Sequence, residues 1–311
     1  MKNLLVMLSR KNKIIFLKIV SMFSVIRGYN IPVIALAQYL SAIFILAKNE
    51  RALHIILDLK LFILVIASSL TIASGYIINN FYDSKKDLIN RPNKSMLDRL
   101  VSQKTKLLCY FTLNFIVALL VFFVSIRAVV FFSLYIFMIW FYSHKLKKYP
   151  IVGNLVASVL AVIPFFAILL YYKNWYPEII AHATFLFLLL LIREIIKDLE
   201  NIKGDIANNY LTIPVKYGDY FAKKTITCLV VLTILPVYFL IEIYEVGYMD
   251  IYFYISLIIL LFFTLFLWKS VAKTDYLKLH NILKFVIVSG VFCIVLINPE
   301  VLIHGRNYLK I

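Results

Sequence analysis

The stretch NNFYDSKKDLINRPNK, residues 79–94, directly follows an apolar run over residues 61–78. If this run is a membrane-spanning helix that continues past its end, Asn79, Asp83 and Asp87 recur at i, i+4 and i+8 and share one helical face. Two carboxylates at a membrane edge are costly unless a cation compensates them. Mg²⁺ is usually held by one or two carboxylates, completed by water and substrate phosphates. The stretch therefore indicates a metal and diphosphate site, with a solvated polar loop as the alternative.

A second stretch, REIIKDLENIKGDIANNYLTIPVKYG at residues 193–218, repeats this design after the apolar run over residues 181–192. One face of the predicted helix carries four acidic or amide side chains. They are Glu194, Asp198, Asn201 and Asp205, at i, i+4, i+7 and i+11. Two acidic helix ends with basic neighbours support a metal and diphosphate site better than either end alone.

The composition is that of a polytopic membrane protein. Of the 311 residues, 63% are hydrophobic and the mean hydropathy is +0.90, whereas soluble domains are only about half apolar. We predict nine membrane-spanning helices. Their approximate ranges are 30–47, 59–79, 106–126, 128–142, 151–172, 179–197, 225–244, 251–268 and 280–298. Cys109, Cys228 and Cys293 lie far apart in apolar segments, which excludes a disulfide framework and a zinc motif.

The distribution of charge follows the predicted topology. The nine-helix arrangement places 26 of the 33 Lys and Arg residues on the side that also carries both acidic stretches, and 7 on the other side. By the positive-inside rule, the N-terminus and the acidic stretches face the cytoplasm of a multi-pass protein of the cell membrane. The net charge of +17 is explained by this asymmetry. We therefore expect no nucleic-acid partner.

The chain divides into three predicted segments. Residues 1–27 are apolar with scattered basic residues and are interpreted as an amphipathic interfacial segment. Residues 28–298 form the membrane domain, and residues 299–311 form a short tail. Arg27, at the first boundary, is interpreted as an anchor for lipid headgroups. Between predicted spans four and five, residues 142–154 contain three lysines, which are typical of a topology signal but acquire a candidate anion-binding role beside two carboxylate clusters.

These motifs resemble those of the UbiA superfamily of intramembrane prenyltransferases, and the likeness covers roughly residues 25–298. The family pattern N-D-x-x-D-x-x-x-D followed by R-P-N-R matches residues 79–94, and Y-S-x-x-L-K-R followed by G-N matches residues 142–154. The second acidic motif and a following T-x-P match residues 193–214. This second motif is most similar to the branch that includes geranylgeranylglycerol-phosphate geranylgeranyltransferases, because it also begins R-E-I and ends in G-D.

The resemblance implies an all-α, nine-helix bundle of the UbiA type and a Mg²⁺-dependent prenyltransferase. The implied catalytic, metal-binding carboxylates are Asp83 and Asp87 for one ion and Asp198 and Asp205 for a second, with Glu194 as a further ligand. The implied diphosphate-binding residues are Asn79, Arg91, Lys94, Lys147 and Lys148. The chain departs from the family pattern at Asn80 and Asn201, where aspartate is usual, and at residues 95–97, which replace a P-L-P stretch. We expect activity despite these losses, because five carboxylates remain.

The expected reaction transfers a polyprenyl group, geranylgeranyl in the first hypothesis, from its diphosphate to a lipid-soluble acceptor, best described as geranylgeranylglyceryl phosphate. An aromatic prenyltransferase that makes a quinone precursor from 4-hydroxybenzoate or dihydroxynaphthoate is the alternative. An ion-coupled transporter is a distant alternative, because transporters place charges near mid-span and break helices at internal Gly or Pro. No obligate protein partner is inferred.

Asp83 provides the first test of the metal site. We expect Asp83→Ala to abolish turnover with little loss of folded protein, because the substitution removes an implied metal ligand. Turnover in membranes and the yield of folded protein would be measured together. Turnover near that of the wild type would contradict the metal-site interpretation.

Overall fold

The computed structural model describes residues 10–48 and 50–301, and within these ranges the regular elements are helices without strands. The α-helices are numbered in chain order. They are α1 (Arg10–Val25), α2 (Ile31–Ser41), α3 (Ala52–Ile56), α4 (Leu59–Asn90), α5 (Pro92–Asp98), α6 (Gln103–Phe122), α7 (Ile126–His144), α8 (Val152–Tyr172), α9 (Pro177–Ala207), α10 (Ile213–Leu232), α11 (Ile234–Tyr238), α12 (Asp250–Lys269) and α13 (Lys273–Cys293).

Each predicted membrane-spanning segment coincides with a helical segment, although the predicted span over residues 106–126 runs past the end of α6 at Phe122. Eight helical segments among the described residues are long and apolar enough to cross a bilayer, and a shorter apolar helix over Ile31–Leu46 makes the ninth. This ninth helix consists of α2 and a following π-helical turn over Ala42–Leu46. The all-α, polytopic architecture predicted from the sequence is therefore confirmed.

Two helices are much longer than the bilayer requires. Helix α4 has 32 residues and α9 has 31, which corresponds to roughly 45 Å or more at about 1.5 Å per residue, against a hydrocarbon core of about 30 Å. In each, 56% of the apolar window is buried, compared with 17–39% in the other six long segments. They therefore form the centre of the bundle, and both carry an acidic motif in their last turns.

The first motif ends at a proline, as its sequence predicts. Arg91 has φ −142° and ψ 66°, because Pro92 disfavours a helical conformation at the preceding residue. Pro92 then begins α5, since a proline suits the first turn of a helix. The connection from α4 to α6 therefore contains a short helix that contacts both α4 and α1.

The two ends of the chain lie partly outside the described residues. Residues 1–9 of the predicted interfacial segment and residues 302–311 of the predicted tail fall there. The remainder of the N-terminal segment is helix α1. Its exposed side chains include Ile15, Ile19 and Phe23, whereas Ser21 and Val25 are buried. Its placement at the membrane interface stays a prediction.

A close contact joins the ends of the two central helices. Gly204 on α9 donates its backbone N–H to Oδ1 of Asn90, the last residue of α4, at 3.0 Å. A Cβ atom at position 204 would lie 2.3 Å from Nδ2 of Asn90. Lys273 also donates a hydrogen bond to the backbone carbonyl of Asn90. Glycine at position 204 thus permits the two motif-bearing helices to approach each other.

We expect Gly204→Ala to destabilise the protein by about 1–3 kcal/mol, the usual cost of overpacking a filled site. The free energy of unfolding in detergent micelles would be measured for Gly204→Ala, Asn90→Ala and the double variant. Removing the Asn90 side chain relieves the overlap, so the cost of Gly204→Ala should largely disappear in the Asn90→Ala background. An equal cost in both backgrounds would contradict this account.

Candidate functional site

A polar cavity lies where the acidic ends of α4 and α9 face each other. Six basic and four acidic side chains line it. The basic ones are Arg27, Lys86, Arg91, Lys94, Lys147 and Lys197, and the acidic ones are Asp83, Asp87, Glu194 and Asp198. The excess of positive charge makes the cavity suited to a multiply charged anion.

Asp83 is held by side chains from two other parts of the chain. Its Oδ1 accepts hydrogen bonds from Lys147 Nζ at 2.7 Å and from the Tyr210 hydroxyl at 3.1 Å. Lys147 also donates to Asn79 Oδ1 at 3.1 Å, and its side chain is only 6% exposed. The turn between α7 and α8 thus places Lys147 against the first acidic motif.

Tyr210 lies in the connection between α9 and α10. Burial and the neighbouring Asp83 carboxylate raise the pKa of its hydroxyl above the ordinary value. The hydroxyl therefore stays protonated at neutral pH and remains a donor to Asp83.

Asp205 lies behind the cavity wall. Its side chain is fully buried, and its Oδ1 is 2.5 Å from Lys86 Nζ. Its Oδ2 accepts a hydrogen bond from the Thr212 hydroxyl at 3.3 Å. Lys86 extends from α4 to α9, so this ion pair connects the two acidic motifs.

The other carboxylates differ in how many of their oxygens already have a hydrogen-bond or ion-pair partner. Asp198 Oδ2 accepts a hydrogen bond from Asn154 Nδ2 at 2.7 Å, and Glu194 is paired with Lys197 at 2.7 Å. Asp87 lines the cavity, and no described side chain forms a hydrogen bond or an ion pair with it. Asp87 and the second oxygens of Asp83 and Asp198 are thus the carboxylate oxygens left for a ligand.

Helix α5 is fixed over the site by Asp98, a residue that the sequence analysis did not single out. Its buried carboxylate accepts hydrogen bonds from Ser24 of α1 at 2.8 Å, Asn80 of α4 at 2.9 Å and Lys94 at 2.5 Å. Asn80 Oδ1 in turn accepts from the buried Lys106 at 2.8 Å. The i, i+4 spacing of Lys94 and Asp98 was the available sequence signal.

Most of the residues predicted for the site line the cavity. Eight of the ten line it, and Asp205 and Lys148 do not. Lys148 is exposed, and its Nζ lies 5.6 Å from the centroid of the Tyr210 ring. Arg27 was expected to be a lipid anchor, but its guanidinium lies over the Tyr76 ring at the cavity wall, 4.9 Å from the centroid.

Lys86 was also missed, because its role depends on a partner on another helix. Lys86 lies between carboxylates of the two motifs. Among the described residues, no three Asp, Glu, His or Cys side chains are grouped in a way that could hold a metal ion without further ligands.

The sequence and the fold both match known proteins. Residues 14–298 match the model of the UbiA prenyltransferase family. The digeranylgeranylglyceryl phosphate synthase of Methanobrevibacter smithii is 26% identical over 292 residues, which cover 87% of this chain and 97% of that protein. The synthase of the same name from Sulfurisphaera tokodaii is 25% identical over 225 residues, covering 70% of this chain and 78% of the relative.

Solved structures share the fold. A structure concerned with digeranylgeranylglyceryl phosphate synthase in membranes has a TM-score of 0.68 at 21% identity, over 89% of this chain and 97% of the other. A UbiA homologue from Archaeoglobus fulgidus bound to GPP and Mg²⁺ has a TM-score of 0.65 at 15% identity, over 88% of this chain and 99% of the other. At these identities the likeness establishes the helical architecture.

We expect Asp98→Asn to loosen helix α5. Loss of a charge-assisted hydrogen bond costs about 1.5 kcal/mol, which corresponds to roughly tenfold faster amide exchange of residues 92–98 if they open locally. Hydrogen exchange followed by mass spectrometry measures this rate. Asp219→Asn, at an exposed carboxylate, is the matched control and should leave exchange in residues 92–98 unchanged. Equal exchange in Asp98→Asn and the wild type would show that Asp98 does not hold α5.

Proposed function

Because the chain belongs to the UbiA prenyltransferase family, we propose that it transfers a geranylgeranyl group from geranylgeranyl diphosphate to geranylgeranylglyceryl phosphate. It is a multi-pass membrane prenyltransferase. Membership of this family rules out the transporter alternative. The names of the two relatives support the glycerophosphate acceptor. The single observation that carries the proposal is the cavity between α4 and α9, where six cations and four carboxylates face one another.

The donor set fits a divalent cation. Asp87 lines the cavity without an ion-pair partner among the described residues, and Asp83 keeps one oxygen outside its bonds to Lys147 and Tyr210. Mg²⁺ prefers such carboxylate oxygens and completes its shell with water and phosphate oxygens. We therefore assign Asp83 and Asp87 as the metal-binding pair. A bound Mg²⁺ supplies positive charge that neutralises the diphosphate leaving group.

The second motif presents fewer free carboxylate oxygens. Asp198 has one oxygen outside its bond to Asn154, whereas Glu194 is paired with Lys197 and Asp205 with Lys86. Asp198 is therefore the carboxylate of this motif with an oxygen left for a ligand. Direct coordination by Glu194 or Asp205 would require their lysine partners to move.

The basic residues of the cavity suit the diphosphate. Arg91, Lys94 and Lys147 line it, and each is already oriented by a carboxylate. Because these partners hold the side chains in place, little rotamer freedom remains to be lost when phosphate binds. Asn79 fixes Lys147 through a hydrogen bond. Lys148 is exposed outside the cavity, so we assign it no contact with the diphosphate.

The proposed reaction follows from this charge arrangement. The allylic C–O bond breaks with its electron pair on the diphosphate, whose charge the cavity cations stabilise. The hydroxyl oxygen of the acceptor then bonds to the prenyl carbon, and its proton passes to the released diphosphate. The apolar helices around the cavity house the prenyl chain and keep water from the allylic cation. The positive-inside asymmetry supports a cell-membrane location with this cavity on the cytoplasmic side.

The choice of acceptor is tested by transfer of radiolabel from geranylgeranyl diphosphate in membranes that contain the protein. Geranylgeranylglyceryl phosphate, 4-hydroxybenzoate and dihydroxynaphthoate are offered separately, each with and without Mg²⁺. We expect Mg²⁺-dependent label only in the glycerophosphate product, and membranes with Asp83→Ala serve as the control. Label in an aromatic product would move the protein to quinone synthesis, and no label with any acceptor would contradict the proposed activity.

A further inference from the structure

Lys86 is a cation of the site that neither family motif assigns. It stands between Asp83 and Asp87 in the sequence, yet its ammonium group lies against α9, 2.5 Å from Asp205 Oδ1. The same Nζ lies 4.6 Å from the centroid of the Tyr210 ring. The Lys86 side chain is 16% exposed and that of Asp205 is fully buried. The ion pair is therefore a built part of the site.

The second motif has little free negative charge, because Lys86 neutralises Asp205. Both oxygens of Asp205 are engaged, by Lys86 and by Thr212. Position 201 is a neutral asparagine; its side chain lines the cavity, and its Oδ1 has no hydrogen-bond partner among the described residues. The second motif thus offers the cavity one free carboxylate oxygen of Asp198 and one amide oxygen. The first motif offers two carboxylates, Asp83 and Asp87.

A divalent ion at the second motif would conflict with the ammonium group. If the ion took Asp205 as a ligand, Lys86 would lose its partner while still buried, which is costly. If Lys86 stayed, the ion and the ammonium group would repel each other in a region of low dielectric constant. Either arrangement disfavours a metal ion beside Asp198 and Asp205. At the first motif an ion displaces no ammonium group, because Asp87 has no ion-pair partner among the described residues and Asp83 keeps its second oxygen outside its bond to Lys147.

We propose that the ammonium group of Lys86 takes the place of the second divalent ion, so that the protein binds prenyl diphosphate with one divalent ion, held by Asp83 and Asp87. This inference rests on the proposed function, since it concerns how the diphosphate is bound. It replaces the two-ion arrangement that the resemblance to the family implies. It also accounts for asparagine at position 201, because a lysine needs less negative charge around it than a divalent ion does.

The test counts Mn²⁺ ions in the full-length protein in detergent micelles. Mn²⁺ is the probe, and geranylgeranyl S-thiolodiphosphate, which resists ionisation, is the bound diphosphate. Equilibrium dialysis gives the number of ions per chain, and electron paramagnetic resonance distinguishes an isolated ion from a coupled pair. We expect one isolated Mn²⁺ in the wild type. We expect two coupled Mn²⁺ in Lys86→Met, because Asp205 is then free to act as a ligand.

Three further variants test whether the charge at position 86 sets the number of bound ions. Lys85→Met changes the exposed neighbouring lysine and should keep one ion, as should Lys86→Arg, which retains the positive charge. Lys86→Gln should bind two ions, so the result does not depend on the folding of one variant. Two ions in the wild type, or one ion in both neutral variants at position 86, would overturn the inference.

The experiments distinguish failure of the proposed function from failure of the inference. If the wild type bound no Mn²⁺ with the analogue and also transferred no label, both the function and the inference would be wrong. If it transferred label but bound two ions, only the inference would be wrong.

Discussion

The structure of the site depends on positive charges that compensate the negative charge of carboxylates removed from water. Four aspartates project from the two central helices, and removing such charges from water is costly unless positive charges lie nearby. Lys147 neutralises Asp83 and Lys86 neutralises Asp205, at 2.7 and 2.5 Å. Each pair joins different elements of the chain. The ion pairs therefore also fix how the helix ends are arranged around the cavity.

The same constraint explains why α4 and α9 are the longest and most buried helices. Their apolar segments lie in the centre of the bundle, and their extra turns carry the charged residues beyond the apolar part. The contact between Asn90 and Gly204 locks these ends together. In the proposed function both motifs contact one substrate, so the close approach of the two helices serves substrate binding as well as packing.

Helix α5 completes the polar network around the first motif. Helix α5 presents Lys94 to the cavity, and Asp98 connects that helix to α1 through Ser24 and to α4 through Asn80. Asn80 stands where the family usually has aspartate, and in this chain it is a neutral bridge between Lys106 and Asp98. A carboxylate on α5 is thus part of the polar network that surrounds the first motif.

The sequence by itself determined the helical membrane architecture, the two acidic helix ends and the family. Hydropathy and helical periodicity are local properties, so they fix which segments span and which residues share a face. Only the tertiary structure decided which cation pairs with which carboxylate. Asp205 belongs to the acidic face of its helix, yet packing buries it against Lys86, while Lys148 stays exposed beside Lys147. Such pairings depend on how distant helices pack, and periodicity carries no information about that.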